Sequence, residues 1–132
     1  MTLPEGWLDD LRDFLAIPSV SADPAHAKDV ARAAEWVAAR VRSLDGEADV
    51  REDGRLVVSE IPGPPGAPTV LVYGHYDVQP PAPLELWESD PFAAEVRGEW
   101  LYARGVADDK GQLWVENKTA NGSRKSVYKK TT

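Results

Sequence analysis

The sequence of 132 residues contains no cysteine and only two histidines, His26 and His75. Without cysteine there are no disulfides and no thiolate metal sites, so any metal must be held by imidazole and carboxylate groups. The same absence is compatible with a reducing compartment. No apolar stretch approaches the roughly 18–20 residues of a membrane span, and residues 1–7 lack the basic-then-apolar pattern of a secretory signal. Basic residues are scarce as well: 15 Lys and Arg stand against 22 Asp and Glu, for a net charge of -7. Phosphate binding rests on clustered cations, so this balance argues against nucleic acid as a partner. The imbalance is uneven, because residues 116–132 hold five basic side chains and one acidic, leaving a net of -11 over the first 115. The composition predicts an acidic, soluble, cytoplasmic domain that touches neither membrane nor nucleic acid.

Hydrophobic spacing supplies the elements. Trp7, Leu8, Leu11, Phe14 and Leu15 recur at helical intervals ahead of Pro18, which predicts a helix that stops there. Residues 17–22 read as an extended turn. Asp23-Pro24 then offers an N-cap and a first helical residue, followed by an apolar stripe of Val30, Ala33, Val37, Val41 and Leu44 that runs out near Asp45-Gly46. His26, at the exposed start of that helix without a nearby partner that would make it a ligand, reads as a solvated surface histidine. Short extended runs follow at 48–51, 56–61 and 69–73, with Asp53-Gly54 as a hairpin turn. Residues 62–68 form a rigid connector and the proline-rich 80–83 an ordered loop. Two more strands are expected at 92–96 and 100–103, and a helix from about Lys110. Two amphipathic helices followed by strands predict an α/β sandwich, the helices packed on a sheet.

The chemistry gathers in two turns. The first is Gly74-His75-Tyr76-Asp77-Val78-Gln79-Pro80, after an apolar strand. Side chains two apart on a strand share a face, so Asp77 is placed to hold one ring nitrogen of His75 while the other binds a metal. The second turn, Gly105-Val106-Ala107-Asp108-Asp109-Lys110-Gly111, also follows a predicted strand. Asp108 there is placed to give one oxygen to each of two ions, a bridge that holds them about 3.5–4 Å apart. Arg104 reads as a loop anchor rather than a site residue. Trp7, Trp36, Trp87 and Trp100 read as packing groups, since acidic neighbours make a poor stacking platform for bases.

These two turns, with Trp87, Asp90-Pro91-Phe92, Leu101-Tyr102-Ala103-Arg104 and the early Phe14-Leu15-Ala16-Ile17-Pro18-Ser19-Val20-Ser21, resemble the carnosinase, aminoacylase and carboxypeptidase-G family of two-metal peptidases over about residues 7–115. The wording is closest to the dipeptidase branch. The resemblance implies a partial zinc-peptidase-like sandwich with a mixed sheet, in which His75 is a metal ligand, Asp77 its orienting carboxylate with a catalytic role, and Asp108 the metal bridge. It also implies a cis peptide before Asp109, two divalent ions (zinc, with cobalt or manganese as alternatives), and hydrolysis of a dipeptide or N-acyl amino acid by a metal-activated water assisted by a glutamate base.

Ala103 stands where the family commonly has glycine. After Val115 the family's Glu-Glu pair, further acidic ligand, late histidine and lid have no counterparts. Two ions need about eight to ten coordination contacts, of which His75 and Asp108 supply about three. Glu116 has the wrong surroundings for the base. The expectation is therefore an incomplete catalytic domain at 1–115, inactive or very weak by itself, truncated or frame-shifted at its end. A homodimer is expected only of a complete chain. The alternative is a non-catalytic remnant or interaction module. Residues 116–132 are expected to form a disordered basic tail, with the glycosylation patterns at Asn117 and Asn121 unused.

Overall fold

The computed structural model describes residues 5–119 and 124–129, with side chains described over 5–115. Helix α1 (Trp7–Leu15) turns Leu11, Phe14 and Leu15 inward. Ahead of α2, the Asp23 carboxylate accepts the Ala25 N–H at 2.9 Å and closes a short 3-10 turn, Pro24–His26. Helix α2 (Ala27–Arg42) buries Val30, Ala33, Ala34, Val37, Ala38 and Val41 and places Arg40 and Arg42 in its last turn, where cations suit the carbonyl end of a helix. At the start of this helix His26 pairs one turn along, Asp29 lying 2.8 Å from its Nδ1.

The chain then enters a sheet. Strands β1 (Glu47–Arg51) and β2 (Leu56–Ile61) pair antiparallel, Glu47 opposite Glu60 and Arg51 opposite Leu56. Their turn is longer than a two-residue hairpin, since Glu52, Asp53 and Gly54 all take positive φ. Gly54 has no substitute here, because a Cβ would lie 2.4 Å from the Ala31 Cα of α2. Strand β3 (Leu71–Gly74) follows the proline-rich connector. A separate hairpin joins β4 (Glu95–Arg97) to β5 (Trp100–Tyr102). The predicted strand at 92–96 starts late because Asp90 takes the Phe92 and Ala93 N–H groups into a turn. Trp100 corrects another expectation: it is 71% exposed on the narrow hairpin rather than packed.

Helix α3 (Lys110–Thr119) starts at the acidic turn, and β6 (Arg124–Lys129) lies between β2, to which it is antiparallel, and β3, to which it is parallel. The sheet is therefore mixed, in the order β1-β2-β6-β3. Where a tail without regular structure was expected, the backbone supplies the strand that pairs the facing edges of β2 and β3, whose N–H and C=O groups need partners. The second glycosylation pattern, at 121–123, lies outside the described residues.

Two cores form on the helical side. One joins Phe14 and Ile17 to the inner face of α2, Val57 and Ile61 of β2, Tyr76 and Leu113. The other joins Leu11, Leu15, Ala103 and Trp114. Asp10 ties the three helices together, lying 3.4 Å from Arg40 of α2 and accepting the Trp114 Nε1–H of α3 at 2.9 Å. Among the described residues, no helix is long and apolar enough to cross a membrane.

Candidate metal centre

Strand β3 delivers His75 to the start of α3. Its last residue must be small: a Cβ on Gly74 would stand 2.6 Å from Leu113 and 2.9 Å from the Asp109 carboxylate. That close approach lets Asp109 Oδ2 accept the backbone N–H of His75 at 3.0 Å. Beyond Gly74 the alternation of side chains continues. Tyr76 points into the core, where it is fully buried and its hydroxyl donates to the Gly54 carbonyl at 2.7 Å. Burial, with the charges of Asp77 and Glu52, holds its phenol above the usual range.

His75 and Asp77 point the other way. His75 Nδ1 lies 3.1 Å from Asp77 Oδ1 and 3.2 Å from the Asp77 carbonyl, and Nε2 lies 2.9 Å from Asp108 Oδ1. Burial is the largest influence on the imidazole and works against its charge. The hydrogen bond to Asp108, that to the Asp77 backbone and the charges of Asp77 and Asp109 together exceed it, so the pKa is raised. The Asp77 carboxylate is buried, and its Oδ2 accepts the hydroxyl proton of Ser21.

The acidic turn is shaped by backbone. The Asp108–Asp109 peptide is cis, as the resemblance implied, and Gly105 takes a φ of +86. A Cβ on Gly111 would lie 2.1 Å from the Val106 carbonyl oxygen, so only glycine lets the turn fold onto the first residues of α3. Lys110 is fully buried, and its Nζ donates to the carbonyls of Phe14 at 3.0 Å and Ile17 at 2.6 Å, beneath the Phe14 ring. Desolvation is the main cause that pushes this ammonium down to about 7. The bolt fastens the acidic turn to the end of α1. Ala103, in the place commonly held by glycine, packs with Leu11, Leu15 and Trp114. Arg104 anchors its loop, donating to the Pro80 carbonyl and lying 5.2 Å over the Trp87 ring.

Donor chemistry fits a divalent ion at one place. His75 Nε2 and Asp108 Oδ1 converge from two turns 33 positions apart, and imidazole with carboxylate is a donor set suited to zinc, cobalt or manganese. Asp77 and Asp109 are committed to His75 itself. Among the described residues, no group of three or more His, Asp or Glu donors converges. Sequence reasoning paired His75, Asp77 and Asp108 but missed Ser21, Lys110 and the bond from His75 N–H to Asp109. Period two between Ser19 and Ser21 was a visible signal, yet nothing in the sequence said which strand they would face.

Residues 71–120, which carry both turns, match the model of peptidase family M20/M25/M40. That stretch is similar to the M20 peptidases. A succinyl-diaminopimelate desuccinylase of Stenotrophomonas maltophilia is 36% identical over 106 residues, covering 80% of this chain and 27% of the relative. The Cys-Gly metallodipeptidase dug1 of Schizosaccharomyces pombe is 33% identical over 116 residues, covering 76% and 24%. Among solved structures, human carnosine dipeptidase 1 superposes with a TM-score of 0.84 at 22% identity, over 95% of this chain and 32% of that one. An M20 family metallo-carboxypeptidase of Sulfolobus solfataricus gives 0.75 at 28% identity, over 96% and 31%. The chain thus spans about a quarter of the length of the curated relatives it matches and about a third of the solved ones. The α/β architecture with its mixed sheet is that of the corresponding part of M20 peptidase domains.

Proposed function

We propose that this chain forms one wall of a two-metal site that hydrolyses the peptide or amide bond of a dipeptide or N-acyl amino acid, in the cytoplasm. The observation that carries the reading is the division of labour on one imidazole. Nδ1 is held by Asp77, while Nε2 faces the exposed carboxylate of Asp108. This is how a metal-binding histidine is held ready, since the bond at one nitrogen sets the tautomer and makes the other a better donor. A divalent ion at such a site polarises a carbonyl and lowers the pKa of bound water. This chain's residues would supply one imidazole ligand, one bridging carboxylate and the buried acid behind the imidazole. Zinc fits this donor pair, with cobalt or manganese as alternatives.

Two ligands among the described residues do not complete two coordination spheres, and that favours a second reading in which the isolated chain is a non-catalytic remnant or interaction module. Equilibrium dialysis against zinc, alongside a dipeptide hydrolysis assay, separates the two. We expect weak uptake of no more than about one equivalent, lost in His75→Ala and in Asp108→Ala, and no turnover by the isolated chain. Undiminished uptake in both variants would overturn the assignment of the site.

A further inference from the structure

We propose that Ser21 is a positioning residue for the metal-facing histidine, fixing through its hydroxyl the plane of the Asp77 carboxylate that holds His75. The inference rests on the reading of His75 as a ligand through Nε2.

A carboxylate turns easily about its last bond, so a single partner does not fix its plane. Asp77 has one partner on each oxygen, His75 Nδ1 at Oδ1 and the Ser21 hydroxyl at Oδ2. The hydroxyl itself is held in place by the residues before it. Ser19 Oγ donates to the Tyr76 carbonyl at 2.7 Å, the Val78 N–H donates to the Ser19 carbonyl at 2.9 Å, and Val20 forms a parallel bridge with Val78. Segment 19–21 therefore grips the backbone on both sides of Asp77 and its side chain as well. Ser19 is fully buried, so a shift of the segment would leave its hydroxyl without the Tyr76 carbonyl and away from water. Ser19 stands just before the Val20–Val78 bridge and Ser21 in the turn just after it, which is how one short segment makes both bonds.

The chemistry of the donor matters as much as its place. A hydroxyl offers one neutral proton, so it steadies an ionised Asp77 without competing with His75 for its charge. A lysine or arginine there would draw the carboxylate away. With Asp77 held on Nδ1, the ring keeps Nε2 aimed at the Asp108 carboxylate. Asp108 can turn to solvent, its side chain being 74% exposed, whereas Asp77, at 8%, cannot.

The test uses the full chain labelled with nitrogen-15 histidine at a pH of about 9, well above the ordinary imidazole pKa of about 6.5. With two histidines, His26→Gln assigns the signals. The wild type should show His75 as the Nδ1–H tautomer. Ser21→Ala should give a mixture of tautomers and weaken zinc binding by about three- to tenfold, below the 10–100-fold typical of a direct partner of a ligand. Ser21→Thr should restore both, and Ser21→Cys, a weaker donor in the same space, should lie between and guard against misfolding of the alanine variant. A lower melting temperature with an unchanged tautomer would mean a purely structural serine and would overturn the proposal. Zinc binding that disappears in His75→Ala but ignores Ser21→Ala, with the tautomer unchanged, would sink the role of Ser21 and leave the metal site standing. A tautomer that follows the serine in a chain that takes up no zinc would do the reverse.

Discussion

The helical core of this molecule and the exposed positions of β3, the 84–86 turn and the β4–β5 hairpin obey different rules. On the first, Phe14, Ala33, Val37, Val41 and Val57 are completely shielded from water. On the second, Leu71, Leu86 and Trp100 are each more than 70% exposed, with Tyr73 beside Leu71 on β3 at 55%. One side is closed by the chain's own residues, and the other leaves large apolar groups in water. The candidate metal centre combines both kinds of position, with Asp77 at 8% side-chain exposure and Asp108 at 74%. Asp77 and the bonds that hold His75 belong to the closed side, whereas Asp108 reaches out from it. His75 is thus held from behind by the buried Asp77 at Nδ1 and by Asp109 at its backbone N–H, while its Nε2 meets the exposed carboxylate of Asp108.

Breaking the closed side should have the largest effect. Phe14 stacks on Trp36 with ring centroids 4.1 Å apart and is wholly buried. Phe14→Ala should cost about 3–5 kcal/mol in urea unfolding, a large part of the roughly 5–15 kcal/mol that holds an ordinary domain together. The bolt at Lys110 comes next. Lys110→Met keeps most of the volume but removes both bonds to the Phe14 and Ile17 carbonyls, and relief of the ammonium's desolvation offsets part of the loss. A decrease of about 2 kcal/mol on the same curves is expected, and no decrease would mean that the bolt adds nothing to packing. The smallest effect belongs to the open side. Leu71→Thr with Tyr73→Thr, which keeps residues suited to a strand, should change stability by no more than about 0.5 kcal/mol. Sedimentation should show less self-association, since it removes exposed apolar surface. A loss as large as that of Phe14→Ala would show that this face is covered and would collapse the comparison.

Much of the closed side was legible because its pattern is local. Leu11, Phe14 and Leu15 on α1, and Val30 to Val41 on α2, announce their buried faces through helical spacing alone. His75 and Asp77 were legible for the same reason, being two residues apart on one chain. Trp100 was misread because its composition says apolar while its place on a two-stranded hairpin leaves nothing to cover it. The His26–Asp29 pair was within reach of the same spacing, three residues apart at a helix start. The segment from 124 was read as tail, since its basic composition does not reveal that a gap between β2 and β3 awaits a strand.

By itself, the sequence determined the amphipathic helices, the strand that ends in Gly74, and the histidine with its aspartate, for each depends on spacing within a few residues. That Asp108 meets His75 was implied only by the family resemblance, and the packing of the chain alone decided that Ser21 stands behind Asp77 and that Lys110 reaches the end of α1. These contacts join residues 33, 56 and 93 or more positions apart. No periodicity encodes such pairings. They follow from which faces are buried together, and that is settled when the helices, the sheet and the acidic turn pack as one.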